Sequence, residues 1–291
     1  NDLTDLLGIE HPIIQAPMAG ATTPALAAAV SNAGGLGSLG CATFTPEQFR
    51  EQVGAVRADT NRPFNVNFFV HDEPVHDADA ETAMRGQLAP YYAEMALGEA
   101  PAARSIFPIF GAEMLDAVTA LKPPIVSFHF GLPEPVIIET LKAAGAVILA
   151  SATTVREAVA LQDGGADAVI AQGFEAGGHR GTFLGDVDSG TVGTFALVPQ
   201  VVDAVRLPVI AAGAVADGRG IAAAFALGAS GVQVGTAFLA CPETEMHPVH
   251  RALLLQAQGE TTQVTRTISG RPARAIVNRY ITEMSESGAE P

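Results

Sequence analysis

Eight short apolar runs recur along the chain, and each is followed by an Ala-rich or amphipathic stretch of helical composition. The runs are Ile13–Met18, Leu36–Leu39, Phe64–Phe69, Ile125–Phe130, Ala146–Ala150, Ala168–Ala171, Pro208–Ala212 and Gly231–Val234. Strands that are apolar throughout, rather than at alternate positions, suit a parallel sheet covered by helices on its faces. The helical stretches between them are Pro24–Asn32, Pro46–Arg57, Glu113–Ala120, Glu134–Ala144, Val155–Asp163, Thr194–Val205 and Gly218–Leu227. Three units close alike, on Gly145, Gly165 and Gly228, where glycine suits the left-handed residue after a helix. Eight such modules are what a closed (β/α)8 barrel needs, and 291 residues with 48% hydrophobic side chains can fill one. The expected fold class is α/β, a TIM barrel.

Two connections are longer than a module. Residues 71–124 follow the third strand and are rich in Pro, Ala and acid; they are expected to form an insertion. The Gly-rich stretch from Gly173 to Leu207 separates strands six and seven. Loops after barrel strands lie on the catalytic face, so both are expected at the site or over it. The expected division is a barrel over 1–240 and a C-terminal helical appendage over 241–291, packed near the substrate site, with His247–Gln256 as one helix.

The balance of 16 basic against 31 acidic residues gives a formal charge of −15, which disfavours nucleic acid and anionic membrane as partners. No apolar run approaches the ~20 residues of a bilayer-spanning helix. Cys41 and Cys241 lack CxxC spacing and are expected to stay reduced. The first residues show no basic or apolar leader, and a cytoplasmic location is expected.

The local motifs differ in weight. Gly35–Gly40 fits GxGxxG, yet it follows a helix and overlaps a strand, the wrong context for a dinucleotide fingerprint. The run Gln172-Gly-Phe-Glu-Ala-Gly-Gly-His-Arg-Gly181 lies directly after the sixth strand; its glycines permit close approach to a ligand, and His179 is placed to move a proton. His129 on the fourth strand is the rival imidazole. Gly213 after strand seven and Gln233–Thr236 at the end of strand eight are candidate phosphate holders that use backbone N–H groups instead of lysine. His71 with His76, and His247 with His250, lack a third metal ligand by spacing, so no metal is expected.

Taken in order, Gln15–Gly20, Ser31–Gly37, Phe64–Phe69, Ser127–Gly131, the Gln172–Gly181 loop and Gln233–Thr236 resemble the nitronate monooxygenase family, formerly 2-nitropropane dioxygenases, in its bacterial class I branch. The resemblance implies an FMN-dependent TIM-barrel oxidoreductase that oxidises alkyl nitronates, and nitroalkanes as an open question, with O2 to carbonyl compounds and nitrite. It implies Met18, Gly20 and Asn67 along the flavin, and Gln172, Gly177 and Gly178 beside its ring or ribityl chain. Gly213, Gln233, Val234, Gly235 and Thr236 would hold the phosphate, and His179 would be the catalytic residue. Ala214 stands where relatives often carry a second glycine. Tyr91, Tyr92 and Tyr280 are candidates for the cover. The implied partners are a small-molecule nitronate and O2, with a homo-oligomer left open. Related flavin barrels that oxidise NAD(P)H, the enoyl-acyl-carrier-protein and quinone reductases, are the alternative, and a non-catalytic flavin-binding barrel is the second.

Overall fold

Stretches that bury both faces must pair with strands of their own kind, and the chain does this eight times. The computed structural model describes residues 1–72, 77–102 and 107–287, with the backbone alone at 187 and 188. The first part runs α1 (Asp2–Leu7), β1 (Ile13–Gln15), α2 (Pro24–Asn32), β2 (Gly37–Gly40), α3 (Pro46–Asp59) and β3 (Phe64–Phe69). It continues through α4 (Ala78–Glu94), α5 (Ala112–Leu121), β4 (Ile125–His129), α6 (Pro135–Ala143), β5 (Val147–Ala152), α7 (Val155–Asp163) and β6 (Ala168–Gln172). Then come β7 (Gly178–His179), α8 (Thr194–Ala204), β8 (Val209–Ala212), α9 (Gly218–Ala226) and β9 (Gly231–Val234). Last are α10 (Pro248–Gln256), β10 (Thr262–Thr265), β11 (Ala273–Ile276) and α11 (Arg279–Ser287).

The eight-stranded sheet has the order β1-β9-β8-β6-β5-β4-β3-β2, every pair parallel. A single bridge, Ile14 to Leu36, joins its two edges; Gln15 N–H donates to Leu36 O and Leu36 N–H to Ile13 O, both at 2.9 Å. This is the expected TIM barrel. Its helices start where local chemistry favours it: Thr45 with Gln48 and Thr154 with Glu157 form reciprocal caps, and proline leads α2, α3 and α6. Gly145, Gly165 and Gly228 have φ of 97°, 95° and 94°, the left-handed geometry their sequence positions called for.

Between β3, β4 and their covering helices sits an aromatic cluster, Phe49, Phe68, Phe110 and Phe128. At the opposite, N-terminal end, Leu3 and Leu7 of α1 pack with Ile14, Leu36, Ile125 and Ile210 and plug the barrel floor. The glycines of Gly35–Gly40 serve packing: a Cβ on Gly37 would stand 1.9 Å from Ala27 O of α2.

The insertion contains α4, a helix with no buried residue. It meets α11 through polar contacts: Tyr91 Oη donates to Glu283 at 2.6 Å, Arg279 donates to Glu94 at 3.0 Å, and the Tyr91 and Tyr280 rings lie 5.2 Å apart. The C-terminal stretch carries α10 where the helix over His247–Gln256 was expected, a second helix α11, and the hairpin β10–β11, whose second strand pairs antiparallel with β7. Among the described residues no helix is long and apolar enough to cross a membrane.

Candidate active site

Parallel pairing puts every strand's C-terminal end on one rim, and register brings Gln15 beside Val234, Phe69 beside His129, and Gln172 beside Ala212. Below the rim the barrel is polar. Gln15 accepts from Ser38 N–H at 2.8 Å, Asn65 Nδ2 donates to Ser127 Oγ at 2.9 Å, and Asn67 Nδ2 donates to the same oxygen at 2.9 Å. The amide N–H groups of Asn65 and Asn67 are satisfied inside the barrel, while Asn65 Oδ1 is buried without a partner.

The residues singled out in the sequence fall on this rim. Met18 is half-buried in the loop after β1, its N–H donating to Thr22 Oγ1 at 3.0 Å, and Gly20 follows with φ of 77°. Asn67 lies near the end of β3, and Gln172 ends β6. Gln172 Nε2 donates to His179 O at 2.9 Å, and its Oε1 accepts from Gly181 N–H at 2.8 Å, so one side chain ties both sides of the Gly-rich loop. Gly177, Gly178, Gly213 and Gln233–Thr236 lie in the loops and strand ends of the neighbouring β6, β8 and β9. There the backbone is close-set: a Cβ on Gly177 would reach 3.0 Å from Thr236 Oγ1, and one on Gly213 2.9 Å from Ala176 N. Ala214 has φ of 60°, a left-handed position that a glycine would take without strain.

His179 sits at the focus of three aromatic rings. Its centroid lies 5.7 Å from Phe69, 6.0 Å from Phe107 and 6.1 Å from Phe130, all nearly edge to face. Burial, and then the charge of Arg271, hold its imidazole below the ordinary value. Its Nε2 meets Ser269 Oγ at 2.8 Å, and that hydroxyl donates to Arg271 O at 3.3 Å. The hydroxyl thus engages Nε2, and among the described residues nothing engages Nδ1. His129 is the second imidazole of the site: its Nε2 meets His179 O at 3.2 Å, and burial pushes its titration down to about 4.

The arginines were not legible as a group. Arg180 turns inward, 1% exposed, donating to Gly173 O, Gln172 O and Gly190 O; it shapes the loop, and burial lowers it to about 10. Arg274 donates to Phe174 O at 3.0 Å, and both guanidinium groups lie within 5.5 Å of the Phe174 ring centroid. Arg271 lies with Cζ 4.7 Å over the Phe130 ring. Its place depends on β11 pairing with β7, a long-range contact between segments that carry no apolar alternation. The Arg271-Pro-Ala-Arg274 run was the one local hint.

The flavin implied by the resemblance fits this rim on three observations. Gln233 Oε1 is buried without a partner, an acceptor suited to a donor such as a ring N–H or a ribityl hydroxyl. At Gly177 and Gly213 the backbone stands too close to Thr236 Oγ1 and Ala176 N for a side chain, so only main-chain groups face a ligand there. The locally positive arginines suit an anion in an otherwise acidic chain. A concavity of about 380 Å³ elsewhere, lined by Thr82, Arg85, Gly86 and Glu99 on the insertion, is an open surface dish remote from these groups. Among the described residues no cluster of three metal-ligating side chains occurs. His247 accepts from Val249 N–H as a helix cap, while His76 lies outside the described residues.

The model of the nitronate monooxygenase family matches residues 1–291. A nitronate monooxygenase of Paraburkholderia phytofirmans is 48% identical over 99% of this chain and 78% of its own, and one of Pseudomonas aeruginosa is 44% identical over 99% and 83%. Among solved structures, a nitroalkane oxidase from Streptomyces ansochromogenes superposes with a TM-score of 0.88 at 40% identity, covering all of this chain and 82% of that one.

Proposed function

The chain belongs to the nitronate monooxygenase family of oxidoreductases, and from that premise we propose that it uses FMN to oxidise alkyl nitronates with O2 to carbonyl compounds and nitrite. The observation that carries this reading is His179, a half-buried imidazole with Nε2 engaged and Nδ1 without a described partner, walled by three aromatic rings. Electron transfer from the substrate to O2 is the chemistry that bound flavin supplies. In this reading Met18, Gly20 and Asn67 flank the flavin, with Gln172, Gly177 and Gly178 beside its ring or ribityl chain. Gly213, Val234, Gly235 and Thr236 hold its phosphate end, and Gln233 beside them accepts from a ring N–H or a ribityl hydroxyl.

The chain's own residues do the rest. Phe69, Phe107 and Phe130 keep water from the imidazole, which strengthens every polar contact made there. With a preformed nitronate no proton need be moved. With a neutral nitroalkane, His179 Nδ1 takes the α-proton, and its depressed titration keeps that lone pair available at neutral pH.

The test is aerobic turnover of ethyl nitronate and propionate-3-nitronate by the flavin-loaded protein, following O2 uptake and nitrite together, with an anaerobic NADH and NADPH arm. Nitrite release with O2 consumption supports the proposal. Rapid bleaching of the flavin by a nicotinamide, without nitrite from any nitronate, overturns it.

A further inference from the structure

A neutral imidazole cannot hold an anion by charge. Near neutral pH the depressed His179 offers a lone pair and no positive charge, whereas a nitronate is negative. The site therefore needs a fixed cation if it is to recognise that head. Three arginines surround the His179 loop. Arg180 and Arg274 use their N–H groups on the carbonyls of Gln172, Gly173, Phe174 and Gly190. Arg271 does not. Among the described residues no carboxylate pairs with it and no protein acceptor takes its N–H groups, in a chain with a formal charge of −15. Its guanidinium carbon lies 4.7 Å from the centroid of Phe130, the ring that His179 meets edge-on from 6.1 Å. A planar fork of free donors set over an aromatic ring suits a planar two-oxygen anion.

Resting on the function proposed above, we infer that Arg271 binds the two-oxygen anionic head of the substrate and makes the site select nitronates over neutral nitroalkanes. The hairpin turn between β10 and β11 then has two duties, because Ser269 from the same turn engages His179 Nε2. The charged and titratable groups that meet His179 are Arg271 and His129, since the guanidinium of Arg180 faces the loop carbonyls. Removing Arg271 therefore also lets His179 take its proton at higher pH.

The test compares flavin-loaded wild type, Arg271→Gln and Arg271→Lys at one ionic strength. Each is titrated with sodium nitrate, a planar oxyanion, following the His179 ring by NMR and the flavin by absorbance, and KM and kcat are measured on ethyl nitronate and nitroethane. Arg271→Gln is expected to weaken nitrate binding and raise KM for the nitronate by roughly ten- to a hundredfold, the range of a charge-assisted contact. KM for nitroethane stays within about threefold, and Arg271→Lys recovers most of the nitrate affinity, which separates loss of charge from misfolding. Unchanged nitrate binding in Arg271→Gln, or equal loss on both substrates, overturns the inference. If wild type oxidises no nitronate, the functional proposal fails by itself, and the nitrate titration still decides the role of Arg271.

Discussion

At the scale of single residues, the proposed site gives proton removal to His179 and anion binding to Arg271. Burial and the charge of Arg271 disfavour the protonated form of His179, which suits the proposed base role. His179→Ala should cost about 10²–10⁴-fold in kcat/KM with nitroethane and clearly less with the preformed nitronate, because only the first needs a proton removed. Equal losses in the two assays would reject the base role. The pH dependence follows from the sign of the shift. Since protonation is disfavoured in the folded enzyme, activity on nitroethane should persist below the ordinary imidazole value and fall only as pH drops through the lowered one. His179 was legible because it stands in a Gly-rich loop after a strand. Ser269 and Arg271 were not, since nothing local ties a hairpin turn near the end of the chain to that loop.

At the scale of elements, legibility followed burial. Most barrel strands announce themselves as near-continuous apolar runs, as parallel strands under helices do, while β3, Phe64-Asn-Val-Asn-Phe-Phe69, alternates because its asparagines meet Ser127 in the polar interior. The sheet of β7, β10 and β11 does not: β7 is two residues long, and β10 reads Thr262-Gln-Val-Thr265, a pattern without a core face. Helix α4 escaped for a related reason, having no buried residue to impose a period. What anchors the long loop after β7 is a buried carboxylate in the first turn of α7. Glu157, 0% exposed at the start of α7, accepts from Thr153 N–H and Oγ1, from Thr154 N–H, and from the N–H groups of Phe183 and Leu184. Glu157→Ala should lower stability by about 3–5 kcal/mol in urea titration, because it strands several buried donors at once. Faster amide exchange at Phe183 and Leu184 should accompany it. Retention of wild-type stability would show that the loop is held by other means.

At the scale of the whole molecule, His129 couples the site to global stability. Burial keeps it neutral in the folded state down to about 4, while an unfolded chain protonates the same ring near 6.5. Between those values the unfolded state binds more protons, so His129's contribution is full above pH 6.5 and is lost as pH falls toward 4. His129→Gln should remove up to about 3 kcal/mol of the acid-side loss of stability, read as the difference between variant and wild-type denaturation across that window. Parallel curves for the two proteins would show that the ring is hydrated when folded.

The circumference itself has one thin place. Seven of the eight joints between barrel strands are ladders of three or more paired residues; the eighth is the lone Ile14–Leu36 bridge. A hoop under thermal stress parts where it was riveted last and least. Hydrogen exchange should therefore reach the amides of Gln15 and Leu36 first among those of the wall, opening a slit beside the Met18–Gly20 turn rather than a general loosening; uniform exchange around the barrel would show that the Gln15–Ser38 contact closes the seam.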